Sequence, residues 1–281
     1  MTDRRFIGPV VALGLASAGC ASATPPGDWR LVWSDEFEGQ ALDERKWGIA
    51  EDCWGGGNEE RQCYASSALA VSDGRLRITA SRESGTAPVV PDAPGVEHRT
   101  LPYRSAKILT RGKASWLHGR FEIRARTPVG QGLWPAFWML PEGYGYGQGM
   151  PAGEIDIMEI VNPGSPCPAC EGERENRVWG AIHVGGEQRP GVSAMVPGQP
   201  WSDFHTYAVE WTPEGFTWLL DGRPYATAAA AGAPFDRPYY LILNMAVGGR
   251  WPEGANARGI DEAAFPATLE IDWVRVWRRA D

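Results

Sequence analysis

Along most of this chain, apolar and polar residues alternate one by one. Arg75-Leu-Arg-Ile-Thr-Ala80 does so, as do Gly119-Arg-Phe-Glu-Ile-Arg-Ala-Arg126 and Leu269-Glu-Ile-Asp-Trp-Val-Arg-Val-Trp277. Neighbouring side chains on a strand point to opposite faces, so a period of two marks half-buried strands. Thr206-Tyr-Ala-Val-Glu-Trp211 and Phe216-Thr-Trp-Leu-Leu220 are rich in strand formers, and Asp221-Gly222 after the second is a hairpin signal. Tyr239-Tyr-Leu-Ile-Leu-Asn-Met-Ala246 reads as a buried strand. No segment carries a long 3.6-residue period. With 35 Gly and 23 Pro as punctuation, a helical bundle is excluded and an antiparallel two-sheet sandwich is expected. The chain has 281 residues and 43% hydrophobic residues, enough for a substantial core. No internal repeat or composition break follows residue 28, so 29–281 reads as one domain.

Residues 1–19 read as an export signal. Arg4-Arg5 supplies a basic start, and a short apolar run interrupted by Pro9 ends in Ser17-Ala18-Gly19-Cys20. The Cys after Ala-Gly resembles a bacterial lipobox, in which Cys20 is lipidated; Ser17 departs from the Leu usual there. Ordinary cleavage nearby is the alternative. Residues 20–28 read as a tether. Export to an oxidising compartment changes the meaning of Cys53, Cys63, Cys167 and Cys170. Four cysteines allow three pairings, and 53–63 with 167–170 closes the shortest loops. A redox motif at Cys167-Pro-Ala-Cys170 and a zinc site with His183 or His205 are the alternatives.

The net charge of −8 lacks the basic stripe that nucleic acid demands. The 14 Trp exceed what a core of this size needs, which suggests a flat binding surface.

Chemistry concentrates in Glu154-Ile-Asp-Ile-Met-Glu159. Glu154 and Asp156 share a face, but a regular strand would place Met158 beside them. One extra residue, a bulge around Ile157 and Met158, returns Glu159 to that face. Glu154 and Glu159 then lie about 13 Å apart at most by strand geometry. Two Glu side chains leaning together reach the separation of about 5 Å that retaining glycoside hydrolysis uses. Asp156 between them adds charge that raises a neighbour's pKa. A solvated acidic face and a calcium cluster are the competing readings.

These residues resemble the active-site strand of glycoside hydrolase family 16. The likeness runs on through Trp33-Ser-Asp-Glu-Phe37, Trp134-Pro-Ala-Phe-Trp138, Ala181-Ile-His-Val-Gly-Gly186, Asp203-Phe-His-Thr-Tyr207 and Leu241-Ile-Leu-Asn-Met-Ala-Val-Gly-Gly249 with Trp251-Pro252. It is nearest to the laminarinase branch, endo-1,3-β-glucanases with a β-jelly-roll fold and a concave cleft. The resemblance implies Glu154 as nucleophile, Asp156 as its helper and Glu159 as acid/base, with no cofactor for catalysis. It places Trp134, Trp138, Asn244 and Trp251 on the substrate and His183 near Glu159. Asn58, in a loop like the family's G-N-N-E-x-Q, joins them, with Glu59 departing from the pattern. Met150 departs where relatives often have Trp. Glu122 and Arg124 share a strand face and are expected as a sugar-holding pair in the cleft, a surface ion pair being the alternative. The family's structural calcium maps to Glu36, the Gly74 carbonyl and Asp272, residues that suit salt bridges equally.

The expected partner is a β-glucan, met by a monomer outside a bacterial cytoplasm and anchored by lipid at Cys20. Mixed-linkage glucan, a galactan, or glucan binding without catalysis are the rival readings. A sulfated galactan would favour a basic cleft, for which Arg104, Lys107 and Arg111 are the candidates.

Overall fold

A computed structural model describes residues 24–25, 27–89, 97–143, 153–184, 191–229, 234–256 and 258–280. The export signal, Cys20 and Met150 lie outside them. Two antiparallel sheets face each other in a sandwich, as the alternation predicts, and the sandwich is a β-jelly-roll, as the family resemblance implies. One sheet runs β17 (Arg223–Ala229), β16 (Gly215–Leu220), β15 (His205–Thr212), β10 (Gly119–Arg126), β19 (Ala267–Arg279), β5 (Arg75–Ala80) and β4 (Leu69–Ser72). Its β1 (Trp29–Asp35) also pairs with β19. The other runs β14 (Val192–Met195), β13 (Arg177–His183), β12 (Glu154–Glu159), β11 (Leu133–Pro141), β18 (Tyr239–Val247), β9 (Lys107–Leu109) and β2 (Gly48–Ile49). Two small pairs, β3 (Gln62–Tyr64) with β8 (Tyr103–Ser105) and β6 (Gly85–Pro88) with β7 (His98–Leu101), lie beside them.

The core fills the space between the sheets. Phe121 and Ile123 reach it from β10, Trp211 and Trp218 from β15 and β16, and Phe137, Met139 and Leu243 from the opposite sheet. Each fully buried large side chain of this kind contributes about 1.5–3 kcal/mol. Alternation then fixes the rest: whatever sits between core residues on β11, β12, β13 and β18 faces away from the core.

That parity corrects one expectation. Glu122 and Arg124 alternate with Phe121 and Ile123 on β10, so they face outward from the sheet that does not carry the acid strand. Glu122 is buried and accepts two bonds from Arg120 (2.8 and 2.6 Å) and one from the Trp277 indole (2.7 Å). Arg124 pairs with Asp272. The two do not pair with each other, and neither lines the cleft. Sharing a face was legible in the sequence; which sheet owns the face was not.

Both bridges form as the shortest loops predict, Cys53 with Cys63 and Cys167 with Cys170. The expected calcium ligands are engaged otherwise. Arg275 donates to both oxygens of Glu36 (2.9 and 2.7 Å), and Asp272 holds Arg124. Both carboxylates thus serve as salt-bridge partners, the alternative that these residue types suit equally.

Candidate active site

The bulge forms where the spacing of the acids requires it. Asp156 faces Trp138 and Met158 faces Phe137 on β11, leaving Ile157 as the extra residue; the β13 side slips between Asp156 and Glu159 as well. Ile155, Ile157 and Met158 all turn into the core, and Glu154, Asp156 and Glu159 line one cleft. A bulge leaves ladder groups unpaired. Here the Asp156 carbonyl accepts from the indole N–H of Trp218, which reaches across the core from β16 at 2.8 Å. Gly180 makes this possible, because a Cβ there would lie 2.4 Å from the Trp218 ring.

The cleft runs from β12 across β11 and β18 to β9, and the loop between the two cysteines closes it. Trp134, Ala136 and Trp138 face it from β11, Asn244 and Ala246 from β18, and Lys107 from β9. Trp134 donates to Glu159 at 3.0 Å, and Trp138 donates to Asn244 at 2.7 Å. Asn244 in turn donates to the Tyr64 hydroxyl at 2.9 Å. Asn58 lines the cleft from the loop. Glu59 turns outward to Arg250 (2.8 Å), so it does not take the role of the family's second Asn. Trp251 is half-buried and braces Trp134 edge-on, with ring centroids 5.3 Å apart.

His183 sits elsewhere than expected. On β13 it pairs in register with Glu154, and its Nε2 lies 3.0 Å from Asp156 Oδ2 and 3.9 Å from Glu154 Oε1. The residue opposite Glu159 is Trp179. The offset between His183 and Glu159 follows from antiparallel register, which the sequence does not state.

Burial raises all three acids above their ordinary values. For Glu154 desolvation leads and the charge of Asp156 adds to it. For Glu159 desolvation is followed by Asp156 and then Glu154, with the Trp134 bond opposing. Asp156 is raised by desolvation and pulled back by His183. Such a trio holds a proton at pH values where exposed carboxyls have lost theirs. An acid that keeps its proton beside a carboxylate that has lost its own can protonate a leaving oxygen while the other attacks carbon.

Three further cleft residues are not singled out by the sequence reading, although Glu60 occupies the E of the G-N-N-E-x-Q-like loop. Glu60 is buried under the loop, accepts from Gln62 at 2.7 Å and lies above its ordinary pKa through desolvation. Tyr64 and Trp54 also line the cleft. Lys107, expected only as part of a basic cleft, is matched by Asp52 at 3.0 Å. Arg104 pairs with Glu83 at 2.6 Å, and Arg111 lies over the Tyr240 ring. Among the described residues lining the cleft, Lys107 is the one cation and Glu60, Glu154, Asp156 and Glu159 are acids, so the basic cleft does not form.

Residues 58–275 match the model for glycosyl hydrolases family 16. The chain is 40% identical to a β-glucanase of Rhodothermus marinus over 95% of its length and 92% of the relative's. It is 36% identical to a glucan endo-1,3-β-glucosidase of Cryptopygus antarcticus, covering 94% of this chain and 96% of that one. The laminarinase structure from Rhodothermus marinus superposes with a TM-score of 0.75, covering 90% of this chain and 98% of that one at 40% identity.

Proposed function

The chain belongs to glycosyl hydrolase family 16 and is a glycoside hydrolase; from that premise we propose that it is a retaining endo-β-1,3-glucanase acting on laminarin-like glucans. The observation that carries the reading is the bulged strand, which brings Glu154 and Glu159 to one cleft with Asp156 between them. Glu154, as carboxylate, attacks the anomeric carbon and forms a glycosyl ester. Glu159 gives its proton to the departing glycosidic oxygen. Glu159, now ionised, takes a proton from water, and the resulting hydroxide equivalent displaces Glu154 with net retention. Asp156 lies between both, and His183 at 3.0 Å favours its ionised form against the burial that raises its pKa.

A neutral glucan is supported over a sulfated chain by the charge of the cleft, whose one lining cation among the described residues already has its partner in Asp52. Indole faces at Trp134 and Trp138 suit the C–H faces of glucose. Reducing-sugar release on laminarin, lichenan and agarose tests the assignment. Laminarin should be cleaved fastest; cleavage of agarose with laminarin spared would overturn it.

The same reading has the enzyme act as a monomer outside the cytoplasm, held to membrane through lipid on Cys20. The basic and apolar N-terminal sequence and the two bridges support export. Fatty-acid labelling that disappears in Cys20→Ser is the expected result.

A further inference from the structure

Trp54 stands apart among the large apolar side chains near the cleft. It is 47% exposed, yet it lines the same cavity as the three acids. A residue whose indole is left in water on a core-rich protein gains nothing for the fold from its size. Its surroundings hold it in place. The loop that carries it closes with the Cys53–Cys63 bridge at its two ends. The Asp52 carboxylate accepts from the Trp54 amide at 3.1 Å and is itself paired with Lys107. Glu60 lies beneath the loop, and a Cβ on Gly56 would come within 2.0 Å of its carboxyl oxygen at a left-handed φ of 58°. Only glycine satisfies both conditions at position 56. Arg250 fastens the outer side twice: its guanidinium holds Glu59, and its backbone amide donates to the Asn58 carbonyl at 2.8 Å.

A covalently closed, hydrogen-bonded loop that presents one exposed indole to a substrate cleft is a preorganised platform. It binds without first ordering itself, which is where preorganisation gains affinity. The loop is hydrogen-bonded to the end of β18, Arg61 and Gln62 both pairing with Val247, two strands from β12, and it presents Trp54 to the cleft from there.

We propose that Trp54 is a stacking platform for one glucosyl ring of a bound β-glucan, where the loop meets the cleft at the end of β18, and that the Cys53–Cys63 loop is built to hold it there. The ligand class is a neutral pyranose: an indole face takes the apolar C–H face of the ring, while Asn58 on the same loop offers an amide to its hydroxyls. The inference rests on the glucanase reading and deepens it. It makes the enzyme sensitive to chain length, because only glucans long enough to reach Trp54 profit from it. Reducing the bridge would loosen the platform without touching the acids.

The test uses the full exported chain and a ladder of β-1,3-gluco-oligosaccharides of increasing length. Binding is measured by calorimetry on Glu159→Gln, alone and combined with Trp54→Ala or Trp54→Phe. For oligosaccharides that reach the loop, Trp54→Ala should weaken binding about two- to twelve-fold, the range of one aromatic contact. Trp54→Phe should recover most of it. In the active enzyme the loss in kcat/KM should grow with chain length and fall mainly on KM. Trp54 is exposed, so the melting temperature should hold and separate this outcome from misfolding. A loss equal at every length, or none, would overturn the platform. A wild type that cleaves agarose and spares laminarin would overturn the glucanase reading instead, while the binding arm still reports on Trp54; a protein that neither binds nor cleaves the ladder would overturn both.

Discussion

The indole N–H of Trp134 donates to Glu159 at 3.0 Å, and it does so from the cleft, where substrate is expected to lie. One side chain is thus both a wall for the sugar and a hydrogen-bond donor to the acid proposed to protonate it. A bond to the ionised form stabilises that form, so this contact opposes the rise imposed by burial and by Asp156 and Glu154.

Trp134→Phe keeps an aromatic wall and removes the donor. Glu159 should then hold its proton to higher pH. Because the general acid must be protonated, the alkaline limb of kcat/KM should move upward. A pH–rate profile of the variant against wild type checks this; an unmoved or lowered alkaline limb would contradict it. The limb reports the coupled trio and not Glu159 alone.

The trio should also cost stability. An acid whose folded pKa lies above its unfolded value favours the folded state fully below the unfolded pKa, about 4.3 for Glu. That contribution is lost as pH rises through the folded value. Glu159→Gln removes the loss, so it should melt higher than wild type at neutral pH, by about 2–4 °C for each kcal/mol recovered. The gain should shrink as pH falls toward about 4, the unfolded value. Calorimetric scans across pH measure both.

Trp218 locks the bulge from the far sheet, through the Asp156 carbonyl. Trp218→Phe fills most of the same volume and leaves that carbonyl without its donor. Stability should fall by about 1–3 kcal/mol, the range for an unsatisfied buried group. Turnover should fall beyond what the lost stability explains, with KM changing less, because the bulge sets where Asp156 and Glu159 point. Steady-state kinetics well below the melting temperature separate the two effects.

Glu122 carries the opposite expectation. It is buried with Arg120 on the sheet away from the cleft. Breaking such a pair by truncating one partner costs about 3–5 kcal/mol. Glu122→Ala should therefore lower the denaturation midpoint strongly while folded protein keeps its KM for laminarin. A raised KM at unchanged stability would return Glu122 to the sugar.

What could be read from the chain follows from distance along it. The bulge was legible because Glu154, Asp156 and Glu159 sit close together in sequence, and their spacing breaks a period of two at one place. The cysteine pairs were legible for the same reason, each closing a short loop. His183 needed the register between β12 and β13, which depends on the length and course of the chain between them. Glu60, Tyr64 and Trp54 reach the cleft beside the pairing of β3 with β8, strands well separated in sequence. Glu122 and Arg124 had the right pattern on the wrong sheet, since alternation tells a face from its opposite and not one layer from another.

Double displacement by Glu154 and Glu159 is tested most directly by the anomer first released from laminarin. Proton NMR in the first moments of hydrolysis, before mutarotation, should show the β anomer rising ahead of the α. An initial excess of the α anomer would mean direct displacement by water, and Glu154 could then not be the nucleophile.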